Sequence, residues 1–362
     1  MRVFLAATSL SPYYGGPAVS VSGLALALCG AGADVGLWTQ DGSALTTVLL
    51  PPQLPKGLTR LSGLALEALG QFPPDVLHDN GLWLVHNHRL AALASHRGLA
   101  RLVSTRGMLE PWARSHKKWK KDLAWAFYQR RDFTRANALH ATAATEAQNL
   151  ARLNLGVPVH TIPNGVDIPE LPARELAGVD ESQRTALFLG RLYPVKGLPL
   201  LIKAWNRVRP EGWRLVLAGP DEAGHQAELE ALIRNTGLTG TISFAGPLAG
   251  QAKARCLAGA DLFILPSFSE SFGMAVAEAL AHSLPVVTTS GTPWPMLRER
   301  GCGWTVDATV DGIAEGLRQA ASHDSKTLRA MGAKGRVWMA SEFGWDRVAR
   351  QFVTTYERIL GR

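Results

Sequence analysis

Two stretches of this 362-residue chain read alike, and that pairing limits the fold more than any other feature. The first is the apolar run Arg2 to Thr8, a loop from Ser9 to Pro17 carrying Gly15-Gly16, and a helical stretch from Ala18 to Leu28 that ends at Gly30. The second is Thr185 to Arg191, a turn from Leu192 to Gly197, and a helical stretch from Leu198 to about Val208. A buried strand, a glycine-bearing turn and an apolar-faced helix, in that order, open an α/β domain. Strand-length apolar runs follow each opening: Val35 to Thr39, Val76 to His78 and Leu102 to Thr105, then Arg214 to Ala218, Thr241 to Phe244, Leu262 to Leu265 and Val286 to Thr289. Short apolar strands separated by helices predict parallel sheets covered on both faces. The expected architecture is therefore α/β, two doubly wound Rossmann-like domains.

The length suits two domains. We place the first at residues 1–165 and the second at 166–345, joined through the Pro-, Gly- and acid-rich segment Thr161 to Ser182. A last helix, from about Trp345 to Leu360, is expected to pack back on the first domain as segment 346–362. A hydrophobic share of 46% excludes global disorder. Cys29, Cys256 and Cys302 lack metal or disulfide spacing, which favours a reducing, cytoplasmic setting. No run of apolar residues is long enough to span a bilayer. The run Val3 to Leu10 follows Arg2 like a short signal core, but Pro12, Tyr13 and Tyr14 follow it, so it reads as a first strand.

Neither opening turn completes a P-loop or a G-x-G-x-x-G pattern, which disfavours a P-loop enzyme and a standard dinucleotide enzyme. The richest stretch runs from Leu265 through Glu270 to Glu278 and Ala281. A strand ends at Pro266, a polar loop carries Glu270, and a helix begins near Phe272, Gly273 and Met274. Free amides and the helix dipole at such a start form an anion site. Glu270 and Glu278 flank it, and carboxylates suit sugar or ribose hydroxyl pairs. The alternative is a solvated glutamate beside a capping loop. Arg191 and Lys196 follow the strand that opens the second domain, with Gly190 and Gly197 leaving room for close approach. Guanidinium and ammonium groups there suit a diphosphate, although either alone is an ordinary surface cation.

Gly190-Arg191, Lys196-Gly197, the Pro163-Asn-Gly-Val-Asp167 hinge, and Ser269-Glu270 through Glu278-Ala-Leu280 together resemble the family-4 glycosyltransferases of the GT-B fold. Glu270 and Glu278 match that family's E-x7-E motif, and Gly15-Gly16 match its glycine pair. The resemblance runs over about residues 1–350 and is more specific in the second half. It implies two domains facing across a cleft and retaining transfer of a sugar from a UDP- or GDP-sugar without bound metal or other cofactor. Carried over, Arg191 and Lys196 would hold the diphosphate and Glu278 the ribose. Glu270 would hold the donor sugar, and amides from Phe272 to Met274 a phosphate. Gly15 and Gly16 would let the first loop close on the donor. Cations and amides aimed at the leaving phosphate would favour the transition state over the ground state.

Where many members carry His, this chain has Arg106 in Arg106-Gly-Met-Leu-Glu-Pro-Trp112, so Arg106 is expected to bind a phosphate or sugar oxygen. That pattern, with His78-Asp-Asn-Gly-Leu-Trp83, resembles a subgroup acting on bacterial surface polysaccharides. It makes Asn80, Trp83 and Arg106 candidates for a glycan or lipid-linked acceptor, with packing the alternative for Trp83. His116 and His140 read as surface or structural histidines.

The net charge of +8 is concentrated. From Arg97 to Arg135 there are eleven basic residues against Glu110, Asp122 and Asp132, which is 11 − 3 = +8. Within it, Lys117 to Arg131 lacks helix breakers, and Trp119, Leu123 and Phe127 recur every four residues. A cationic amphipathic helix of this kind suits an anionic membrane surface at residues 114–135, the inner leaflet being the expected place. The alternative is a stripe facing its own sheet. Two rival functions remain: a nucleotide-sugar epimerase, which needs acid/base groups around the sugar, and a nucleic-acid binder, for which no recognised motif accompanies the basic run.

Overall fold

The computed structural model describes residues 1–11, 14–115, 118–170 and 183–362. Pro12, Tyr13, His116, Lys117 and the 171–182 part of the connecting segment lie outside the described residues. The chain forms two compact units, Met1–Gly165 with Phe343–Arg362, and Val166–Glu342.

In the first unit the strands are β1 (Arg2–Ala7), β2 (Asp34–Thr39), β3 (Leu58–Leu61), β4 (Val76–Asn80), β5 (Ala100–Ser104), β6 (Ala138–Ala141) and β7 (Val159–Thr161). They pair in parallel in the order β3-β2-β1-β4-β5-β6-β7. Val3 to Ala6 of β1 are fully buried, as expected of a central strand covered on both faces. Helix Gly16–Gly30 lays Val21, Leu24 and Leu28 on one face of this sheet. The last helix, Trp345–Ile359, adds Val348, Phe352 and Tyr356 to the same cluster, although it lies far away in sequence. Gly165 of the expected hinge is crowded by it: a Cβ there would sit 2.2 Å from the Trp345 ring.

A directed chain of hydrogen bonds crosses the interior of this unit. His140 Nε2 must donate to the Ile162 carbonyl, 2.7 Å away, so His140 Nδ1 accepts from Ser104 Oγ at 2.6 Å. Ser104 then accepts from His78 Nε2 at 2.6 Å, and His78 Nδ1 accepts from the Tyr356 hydroxyl at 2.7 Å. This direction requires both histidines to be neutral. Burial holds His140 down at about 3 and His78 well below the usual imidazole range.

The second unit repeats the plan with β8 (Arg184–Leu189), β9 (Trp213–Ala218), β10 (Ile242–Gly246), β11 (Leu262–Leu265), β12 (Val286–Thr289) and β13 (Gly303–Val306). Their order is β10-β9-β8-β11-β12-β13, again all parallel. Among the described residues no helix is long and apolar enough to cross a membrane.

Candidate active site

The second sheet changes winding direction between β8 and β11, and open α/β sheets take ligands at the carboxyl ends of strands beside such a point. Two turns leave there, Gly190 to Gly197 and Pro266 to Gly273, and they are tied together. The Phe268 amide donates to the Val195 carbonyl at 2.8 Å. Gly197 has φ 67°, and a Cβ on it would lie 2.1 Å from the Pro266 carbonyl oxygen. The room expected at Gly197 for a ligand is taken by the neighbouring turn.

Lys196 closes the same seam. Its Nζ lies 2.5 Å from Glu270 Oε1, to which Ser267 Oγ also donates at 2.6 Å. The two side chains are only 15% and 13% exposed, so the pair is poorly screened. Glu278 is paired as well, through Lys253 Nζ at 2.7 Å from helix Gly250–Ala258. The more open Arg191 donates to Glu222 Oε2 at 2.6 Å. Arg191 and Lys196 are expected to supply positive charge for a diphosphate, and here each carries a carboxylate. Partial burial explains the Lys196 pair, because a desolvated cation without a partner is costly, whereas the Arg191 pair is an exposed one. Lys253 and Glu222 were not foreseen; they arrive from other elements, with no spacing that announces them.

Helix Met274–Ala281 begins after Gly273, which has φ 77° and offers no side-chain cap. The Val276 and Ala277 amides turn back to the Gly273 carbonyl. Those of Met274 and Ala275 find no acceptor among the described residues, so they are the donors a phosphate would meet. Phe272, expected to belong to this site, has its carbonyl bound to Trp294 Nε1 at 2.5 Å and its ring against Trp294, centroids 5.2 Å apart. Its side chain is core.

In the first unit Gly15, with φ 81°, precedes helix Gly16–Gly30. Arg106, expected to reach a phosphate or sugar, is instead buried with φ 50°. Its Nη2 and Nε donate to Asn80 Oδ1 at 2.6 and 3.1 Å, and Nη1 donates to Asn164 Oδ1 at 2.6 Å and to Ser20 Oγ at 3.2 Å. Burial lowers its pKa to about 10, against the pull of Glu146. The Asn80 amide group donates to the Ala6 carbonyl at 3.1 Å. Arg106 and Asn80 therefore face each other inside the unit and lock β4, the hinge and helix Gly16–Gly30 together. The acceptor roles expected of them give way to this interior lock, because their polar atoms are spent on one another and on the backbone. Trp83, with φ 75°, donates from Nε1 to the Met108 carbonyl at 3.3 Å and packs on Trp125, which is the packing alternative. His140 is structural, as described above.

The basic stretch is helical from Lys118 to Thr134, with a π-turn over Trp125–Gln129. The expected apolar row is present but points outward, with Trp119 65%, Leu123 48% and Phe127 77% exposed. Trp125 and Phe133 face the unit's interior instead. Lys118, Lys120, Arg130 and Arg131 flank the outward row. The alternative in which that row covers its own sheet is therefore overturned.

Two parallel Rossmann-like units of this kind make up the GT-B architecture of glycosyltransferases, and solved structures share it. Sucrose-phosphate synthase from Thermosynechococcus elongatus superposes with a TM-score of 0.84 at 18% identity, covering 100% of this chain and 99% of that one. HepE of Anabaena, in complex with UDP and glucose, gives 0.75 at 19% identity over 99% and 100%. WaaG, involved in lipopolysaccharide biosynthesis, gives 0.70 at 17% over the whole of both chains. Residues 15–165 match the glycosyl transferase 4-like domain, and residues 172–338 match glycosyl transferases group 1. The chain belongs to this glycosyltransferase family. Among curated relatives, the D-inositol 3-phosphate glycosyltransferase of a Nocardioides species is 30% identical over 249 residues, 62% of this chain and 54% of that protein. The Mycobacterium leprae protein of the same name is 27% identical over 198 residues, 52% and 45%. The chain thus spans about half the length of the curated relatives it matches.

Proposed function

We propose that the protein moves a sugar from a UDP- or GDP-sugar, with retention and without a metal, onto a glycan or lipid-linked acceptor in bacterial surface polysaccharide synthesis. The observation that carries this reading is the Lys196–Glu270 pair beside the open start of helix Met274–Ala281, at the second sheet's winding reversal. An entering diphosphate would take over Arg191 and Lys196, meet the Met274 and Ala275 amides, and release Glu222 and Glu270. Glu270, freed of its cation, would accept from donor-sugar hydroxyls. Lys253 would keep Glu278 oriented with its second oxygen available to the ribose. As the sugar–phosphate bond breaks, charge grows on the leaving phosphate, where two cations and fixed amides stabilise it. HepE's complex with UDP and glucose supports a nucleotide sugar as donor. Gly15 and Gly16 would serve the donor from the first unit. Arg106 and Asn80 would act there as positioning residues, holding the frame that receives the acceptor.

Thermal unfolding with a panel of UDP-, GDP- and ADP-sugars in chelator tests the donor assignment. One base class is expected to stabilise the protein, by about 2.7 kcal/mol at 100 times its dissociation constant. Glu278→Ala is expected to remove the shift, and an unchanged shift in that variant refutes the ribose role.

The same reading assigns the outward row Trp119, Leu123 and Phe127, with its flanking cations, to an anionic lipid surface, at about 1 kcal/mol per cation near the headgroups. Co-sedimentation with phosphatidylglycerol vesicles is expected to exceed that with phosphatidylcholine and to drop in Trp119→Ser/Phe127→Ser. Equal binding to both vesicle types removes the assignment.

A further inference from the structure

The last helix carries two faces. One buries Val348, Phe352 and Tyr356 in the first unit's core. The other presents Arg347, Arg350, Gln351, Thr354 and Arg358, which recur at i, i+3, i+4, i+7 and i+11 and so form a single ridge. That ridge faces β7, which ends the sheet, and between them runs a cleft of about 450 Å³ lined also by His160, Thr161 and Ile162.

No carboxylate lines the cleft, and among the described residues none of the three arginines has an ion-pair partner. Asp346 and Glu357 share the helix but stay outside the lining. His160 is held below the ordinary imidazole range by burial and by Arg358, in keeping with a positive cleft. Gln351 Oε1 is enclosed and accepts no hydrogen bond, so that atom is closed to a ligand in the cleft and the arginines are what the cleft offers.

The order along the ridge is informative. Arg347 and Arg350 lie one turn apart and can close on one phosphate in fork geometry. The exposed Thr354 follows, with Gln351 and the buried Thr355 in the wall behind it. Arg358 stands about 16 Å from Arg347 along the axis, a span that flexible arginine side chains shorten. We propose that this cleft binds a small polyol carrying two phosphate groups, one at each cationic end, with the exposed Thr354 between them. The site is separate from the donor site and does not depend on the reading given above.

Isothermal titration of the full chain with fructose 1,6-bisphosphate, inorganic phosphate and fructose tests it. The bisphosphate is expected to bind, phosphate at least tenfold more weakly, and fructose not at all. A charge-assisted hydrogen bond is worth about tenfold in affinity, so Arg347→Gln and Arg358→Gln should each weaken binding by about that factor and the triple variant with Arg350→Gln should abolish it. The three side chains are exposed, so thermal unfolding should be unchanged in these variants. Lys196→Met, which lies in the other unit, should leave bisphosphate binding intact. Wild-type affinity in the triple variant, equal affinity for phosphate and bisphosphate, or no bisphosphate binding at millimolar concentration would each overturn the proposal.

Discussion

Replacing Lys196 by methionine is expected to lower kcat/KM by about 10²–10³-fold, the usual cost of removing one donor aimed at developing charge. If Lys196 stabilises the departing diphosphate, kcat carries most of the fall, because the interaction strengthens only as the bond breaks. If it merely anchors the donor, KM rises and kcat stays. The variant also strands Glu270, 13% exposed, with Ser267 as its remaining side-chain donor, so some stability is lost as well. Lys196→Met/Glu270→Gln separates the two effects: removing both charges should restore stability without restoring turnover. Glu278→Ala should behave differently, raising KM for the donor with little change in kcat, since a ribose contact remote from the reacting bond binds ground and transition states alike. Steady-state kinetics of these variants on one donor decides the matter. Wild-type kcat/KM in Lys196→Met removes the second unit's pair from the chemistry.

The residues that carry this expectation were legible in the sequence for a physical reason. Glu270 and Glu278 flank a helix start, and Arg191 and Lys196 follow a strand whose last four residues are apolar, so residue type and spacing place all four at the carboxyl ends of the second sheet's strands. Their partners were not legible. Lys253 and Glu222 come from helices and turns with no periodic relation to the pairs they complete. The same limit applies to the strands. Runs such as Leu262–Leu265 and Val286–Thr289 announce themselves, whereas β3 holds Thr59 and Arg60 at a sheet edge, β6 contains His140, β7 has three residues and β13 opens with Gly303. Each of these is a strand through its neighbours rather than through its own composition. The row Trp119, Leu123, Phe127 shows the third limit. A four-residue apolar repeat defines a helical face but not which side is covered, and here Trp125 and Phe133 took the inner side.

Mild acid is expected to unfold the first unit well before carboxylate titration would. His78 and His140 are neutral and enclosed in the chain from Tyr356 to Ile162, with folded pKa values far below that of an exposed imidazole. Unfolding releases both to about 6.5, so between that pH and His140's folded value near 3 the unfolded state binds more protons than the native one. Stability then falls as pH falls, by about 1.4 kcal/mol per pH unit for each histidine, and is flat above about pH 7. His86, lowered to about 4 by burial, acts in the same direction, whereas Asp79, whose pKa burial raises, opposes it at the acid end. Two pH units would cost about 5 kcal/mol from the pair alone, comparable with the whole stability of many domains. Denaturant unfolding at pH 7, 6 and 5, followed by hydrogen exchange of β4 to β6 amides, measures this directly. His140→Gln should remove one histidine's share of the pH slope, about a third of what His78, His140 and His86 contribute together. Tyr356→Phe, which leaves His78 Nδ1 without a donor, should lower stability at every pH while keeping the slope. A pH-independent midpoint between 7 and 5 would mean that the two imidazoles are protonated alike in both states, and the directed chain would have to be abandoned.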